Sequence, residues 1–83
     1  MKKTIHSKNY HTLMVMLREA RKKEDITQFQ LAERIGCKQS FISKSENGER
    51  RLDVIELRKY CSGLNVNFIE FIKLLDKKLS KGL

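Results

Sequence analysis

An all-α fold, a compact domain of five short helices occupying the whole of residues 1–83, is predicted by three observations. The chain has no proline, four glycines and 34% charged residues, a composition that suits short helices and gives little to strands. Its apolar residues recur at spacings of three and four, which is the helical period. Between Thr27 and Arg51, two short segments with one apolar stripe each meet at a glycine, the outline of a helix-turn-helix. A chain of 83 residues can withdraw only about 60–65% of its unfolded surface from water, so every helix must pack.

After a basic arm over residues 1–6, read as frayed, Ser7 offers the oxygen that caps a first helix running to about Lys23. Tyr10, Leu13, Leu17 and Ala20 lie on its buried side, and Lys22 and Lys23 sit at its negative end. Thr27 caps the second helix, Gln28 to Ile35, whose Leu31, Ala32 and Ile35 form one stripe. Gly36 follows where a helix end commonly needs a left-handed residue, and only glycine takes that conformation without a Cβ penalty. The single methyl of Ala32 lets the next helix cross closely.

The third helix, Gln39 to Glu46, turns Phe41 and Ile42 inward and ends at Asn47-Gly48. Lys38 stands at its cap position without an acceptor to offer. Asp53 caps a fourth helix with Val54, Leu57, Cys61 and Leu64 spaced for burial, and Asn65 can end it. Asn67 caps a fifth, from Phe68 to about Leu79, whose Phe68, Ile69, Phe71, Ile72, Leu74 and Leu75 wrap more than one side. Such a surface predicts either deep burial or a second subunit.

A formal net charge of +8 favours polyanionic partners, although surplus lysine also serves solubility. Cys37 and Cys61 are too few for a disulfide framework and sit within apolar helical patterns. They read as small core residues in a reducing cytoplasm, with a redox switch as the lesser alternative. The basic start Met1 to Thr4 is followed by His6, Ser7, Lys8 and Asn9, where a signal peptide needs an apolar core. The run Leu13 to Leu17 is five residues, against about 20 for a membrane span. A soluble cytoplasmic protein without a membrane partner is expected.

No Cys-His pair, paired carboxylates, phosphate-cradling glycine loop or nucleophile elbow stands in the chain, so neither catalytic residues nor a cofactor is expected. His6 and His11 are five apart and lack a third ligand, so no metal site is expected either. The third helix is more informative. It turns outward Lys38, Gln39, Ser40, Ser43 and Lys44, all of them hydrogen-bond donors and none an acid. Gln can pair with an adenine edge through two hydrogen bonds, Ser donates or accepts, and Lys reaches guanine or phosphate.

A solvated polar face has the same composition, but the neighbours favour nucleic acid. Thr27 and Gln28 open the second helix with backbone N–H groups where an anion is welcome, and Arg50 and Arg51 can clamp a nearby phosphate. Arg21, near the end of the first helix, and Glu46, ending the third, could meet as a bidentate ion pair; two unrelated surface charges are the alternative.

Thr27-Gln28, Leu31-Ala32, Gly36, Gln39-Ser40, Ile42-Ser43-Lys44, Glu46-Asn47-Gly48 and Arg50-Arg51 together resemble the helix-turn-helix proteins of the Cro and phage-repressor type, the xenobiotic-response-element family. The resemblance spans about residues 9–75. It implies a five-helix domain of the lambda-repressor-like type that binds double-stranded DNA, mostly as a transcriptional repressor and generally as a dimer. It further implies that Gln39, Ser40, Ser43 and Lys44 face base edges, and that Thr27 and Gln28 hold phosphates, with Asn47, Arg50 and Arg51 continuing along the strand. Arg21 and Glu46 would tie the first helix to the third.

Some positions depart from the family pattern. Ser45 replaces a larger apolar residue, leaving either a small hole or a place filled by Phe41. Lys38 replaces the usual Ser or Thr cap and so reaches toward DNA phosphate, while Asp25 stands where Gly often ends the first helix and Leu52 where Pro often precedes the fourth.

The leading expectation is thus a small homodimeric repressor, paired through the fifth helix and the start of the first. One rival is an antitoxin or other interaction module whose main ligand is a protein bound at the apolar surface of Phe71, Leu74, Leu79, Met14 and Val15. Another is a membrane-surface helix built on Lys73, Lys77, Lys78 and Lys81, which Asp76 and the short length disfavour.

Overall fold

The computed structural model describes residues 7–81. Ser7 stands in extended backbone and accepts the Tyr10 N–H at 3.1 Å, opening helix α1 (Lys8–Lys23). Helices α2 (Gln28–Ile35), α3 (Gln39–Glu46), α4 (Val54–Gly63) and α5 (Phe68–Lys81) follow, and the described residues contain no strand. The fold is all-α. The basic arm and His6 lie outside the described residues.

The caps explain where the helices begin. Thr27 and Gln30 form a reciprocal capping box at α2, as do Asp53 and Glu56 at α4, and Asn67 Oδ1 accepts the Glu70 N–H at 2.9 Å at the start of α5. Lys38 is extended and makes no side-chain cap bond to α3.

The ends share one device. Asp25, Gly36, Gly48 and Asn65 all have positive φ, between 58° and 79°. In each case the next residue's N–H reaches back to the carbonyl five residues earlier: Ile26 to Arg21 at 3.4 Å, Cys37 to Ala32 at 3.0 Å, Glu49 to Lys44 at 2.9 Å and Val66 to Cys61 at 2.9 Å. These are Schellman-type ends, which satisfy carbonyls that the helix leaves orphaned and turn the chain sharply.

Leu31, Ile42, Tyr60, Cys61 and Leu64 are fully buried at the centre, where α2 packs on α3 and α4, α1 on α3 and α5, and α4 on α5. Ala32 is buried on the inner face of α2. Gly63 allows α4 to approach α2: a Cβ there would lie 2.5 Å from Ile35 Cγ2 and 2.8 Å from Leu31 Cδ1. The buried Ser45 donates its hydroxyl to the Phe41 carbonyl at 2.7 Å, so its polarity is met by its own helix while Phe41 is only half-buried. Among the described residues, no buried side-chain nitrogen or oxygen lacks a partner.

Three expectations about burial are corrected. Val54 is 62% exposed, like Ile55 beside it in the first turn of α4, and the burial of that helix rests on Leu57, Tyr60 and Cys61 further along it. Met14 and Phe71, expected on an open apolar surface, are each 5% exposed and belong to the core where α1 and α5 meet. Only Ile69 and Leu74 leave α5 with a large open apolar face, at 59% and 48% exposure.

Candidate nucleic-acid interface

Helix α3 sits in a cradle because one end of it is tied down by charge. The buried Glu46 carboxylate receives Arg21 Nε at 2.7 Å and Arg21 Nη2 at 3.0 Å, a parallel fork that joins the last turns of α1 and α3. Gln28 Nε2 donates to the same carboxylate at 3.1 Å, and the Tyr60 hydroxyl approaches it at 3.4 Å. Arg21 also donates Nη1 to the Ile26 carbonyl at 2.8 Å, and Arg18 donates to the Glu46 carbonyl at 3.0 Å, placing a cation at the negative end of α3. The hydrogen bonds that Arg21 donates to Glu46 hold its guanidinium pKa above the ordinary value, outweighing burial. Burial, with Glu46 beside it, raises the Tyr60 phenol so that it stays protonated and can donate.

With Ile42, Ser45 and Glu46 buried, the opposite face of α3 is open: Gln39, Ser40 and Lys44 are exposed and Ser43 is half-buried. Lys38 and Asn47 are exposed at the two ends of the same helix. Gln28 connects the tie to this face, since its Oε1 lies 3.4 Å from Gln39 Nε2 while its Nε2 holds Glu46. Four polar positions therefore project from a helix whose placement is set by a buried network.

The loop after α3 is also fixed. The Tyr10 hydroxyl donates to the Arg50 carbonyl at 3.3 Å and accepts the Leu52 N–H at 3.0 Å. Arg51 lies over the Tyr10 ring, 4.8 Å from its centroid, and Arg50 over Phe41 at 4.7 Å. Arg50 forks onto Glu56 at 3.0 and 2.9 Å. Its hydrogen bonds, together with the Asp53 backbone, lower the Glu56 carboxyl pKa below the ordinary 4.5.

Two anchoring expectations change in detail. The Thr27 backbone N–H is not open to an anion, because it donates to Gln30 Oε1 at 2.8 Å, and the Thr27 hydroxyl accepts the Gln30 N–H at 3.0 Å. Arg50 is not an unengaged clamp, since Glu56 holds it. Both follow from capping boxes that recruit the nearest charged or amide groups. The described residues contain no cluster of three or more His, Cys, Asp or Glu that could hold a metal, and no helix long and apolar enough to cross a membrane.

Two contributors, Tyr60 and Arg18, were not expected from the sequence, and Tyr10 and Gln28 take roles beyond those expected of them. Tyr60 completes the 57, 60, 61, 64 spacing of the buried face of α4 and could have been found by it. Arg18 lies three residues before Arg21 on neighbouring ground of α1. The loop-binding role of Tyr10 and the bridging role of Gln28 carry no local signature, since each depends on residues far along the chain.

A five-helix body whose second and third helices meet at a glycine turn, with a polar helix outward, defines a helix-turn-helix DNA-binding domain. A model of the helix-turn-helix family matches residues 17–71. Among solved structures, an XRE-family like protein from Pseudomonas syringae pv. tomato str. DC3000 superposes with a TM-score of 0.84 at 45% identity, over 90% of this chain and 92% of that one. Two mutants of the Restriction-Modification Controller Protein C.Esp1396I superpose with TM-scores of 0.80 and 0.81 at 27% and 25% identity. They cover 90% and 88% of this chain and 95% and 97% of theirs. No curated protein matches. The chain belongs to the XRE-type helix-turn-helix family of DNA-binding regulators of transcription.

Proposed function

We propose that the protein is a sequence-specific repressor that binds double-stranded DNA as a homodimer, each α3 lying in a major groove. The observation that carries this is the face of the exposed Gln39, Ser40 and Lys44 with the half-buried Ser43, on a helix locked from behind by Arg21, Gln28 and Glu46. These four side chains read base edges. Gln28, Lys38, Asn47 and Arg51 approach the phosphates, as do Thr27 through its place at the start of α2 and Arg50 by exchanging Glu56 for phosphate. The net charge of +8 supplies long-range attraction. The second copy sits on α5, where Ile69 and Leu74 are open; of the expected surface at the start of α1, Met14 is withdrawn into the core and Val15 is half-buried.

Selection of bound duplexes from a random pool, followed by sequencing, tests the reading. An inverted repeat with half-site centres about 10–10.5 base pairs apart, or a multiple of that, supports it. Enrichment of a single unrepeated site contradicts the dimer, and no enrichment at low salt contradicts sequence reading altogether.

A further inference from the structure

Phe29 is 56% exposed, and among the described residues it is the large apolar side chain left open on the helix-turn-helix. The packing of α2 does not explain it, because Leu31, Ala32 and the half-buried Ile35 form the inward stripe. The helix does not ask for it either: phenylalanine is a modest helix former, and a first turn favours acids. An aromatic ring left half in water forgoes burial and invites association, so a contact made elsewhere would account for it.

Its position indicates which contact. Phe29 follows Gln28, which reaches Gln39 at 3.4 Å, and Phe29, Thr27, Gln28 and Gln39 line one shallow cleft with Lys22. The ring therefore stands beside the first base-reading residue of α3. Lys22 and Asp25 both line that cleft, so the place of the ring beside Gln39 rather than the charge of the cleft indicates the contact, and the apolar feature that DNA offers in its major groove is the 5-methyl group of thymine.

We propose that Phe29 is a specificity-determining residue, its ring packing against the methyl group of a thymine next to the base pair that Gln39 reads. The inference rests on the proposed entry of α3 into the major groove. It adds an apolar discrimination to a polar one: thymine is preferred over cytosine at that position because cytosine lacks the methyl.

The test uses the full chain and its selected duplex, with thymines replaced one at a time by deoxyuridine, which removes only the methyl. The wild type should lose about three- to fivefold in affinity per half-site at one thymine, the order expected for one buried methyl. Phe29→Ala should bind the thymine duplex more weakly by a similar factor and be indifferent to the exchange at that position. Phe29→Leu, still apolar, should keep part of the dependence.

If Phe29→Ala retains the full sensitivity, or if no exchange affects the wild type, the inference is wrong. Gln39→Ala separates the two levels. A relaxed preference in Gln39→Ala with a negative deoxyuridine result removes only the role of Phe29, whereas a Gln39→Ala protein that discriminates like the wild type removes α3 reading and this inference together.

Discussion

Arg21 and Glu46 lie 25 residues apart and meet through two parallel hydrogen bonds of 2.7 and 3.0 Å, so the end of α1 holds the end of the outward-facing helix. Both side chains are largely withdrawn from water, at 12% and 3% exposure. Breaking such a pair costs more than forming it gains, because the remaining charge is left buried without its partner.

Arg21→Ala should therefore destabilise the domain by about 3 kcal/mol, lowering the thermal midpoint by more than about 10 °C for a chain of this size. Replacing both partners with Met should recover only part of that loss, since it removes the unpaired carboxylate but takes the acceptor away from the Tyr60 hydroxyl and the Gln28 amide. Thermal unfolding followed by circular dichroism measures both. A loss under about 0.5 kcal/mol for Arg21→Ala would show that the pair is energetically idle.

Asp25 carries a φ of 58° at the end of α1, in the left-handed region that costs residues with a Cβ about 1–2 kcal/mol. Asp25→Gly should be at least as stable as the wild type, and Asp25→Val less stable by about 1–2 kcal/mol. Urea unfolding of the three proteins provides the comparison, and the opposite order would mean that the aspartate side chain makes a stabilising contact of its own.

The Arg50–Glu56 fork predicts a pH dependence. Because Arg50 holds the folded Glu56 pKa below 4.5, the stabilisation is complete above that pH and is lost as the pH falls through the folded value. The difference in stability between the wild type and Glu56→Gln should accordingly shrink on acidification below pH 4.5. A difference unchanged across that window would detach Glu56 from the loop. The effect is modest, since both side chains meet solvent.

Burial pushes the Cys61 thiol up to about 11, and the side chain is fully enclosed. Burial also raises Cys37, which is only half-buried. At about pH 8 a soluble thiol reagent should therefore modify Cys37 first and reach Cys61 at the rate of unfolding. Mass spectrometry of the labelled protein resolves the two sites, and equal rates would contradict the packing at Cys61.

Much of the fold was legible because caps and stops are local. Ser7, Thr27, Asp53 and Asn67 each accept an N–H within their own first turn, and Gly36, Gly48 and Asn65 stop helices by a backbone conformation. Burial was legible where the helical period ran uninterrupted through Leu57, Cys61 and Leu64. It misled at Val54, exposed in the first turn of α4, and at Met14 and Phe71, whose burial depends on how α1 and α5 meet. Periodicity says which face is apolar, not which neighbour covers it.

The site divides in the same way. The outward residues of α3 followed from its apolar face alone. That Gln28 bridges Glu46 and Gln39, that Tyr10 pins the loop beyond α3, and that Arg50 is engaged by Glu56 are tertiary relationships without a local signal.

Base reading by α3, with phosphate held at its flanks, is tested most directly by measuring Gln39→Ala and Arg51→Ala against every single-base variant of the selected site at several salt concentrations. Gln39→Ala should cost about 1–3 kcal/mol and flatten the preference at one base position. Arg51→Ala should weaken all sequences alike and reduce the slope of log affinity against log salt by about one. If both variants weakened every duplex equally, α3 would not be the reading element.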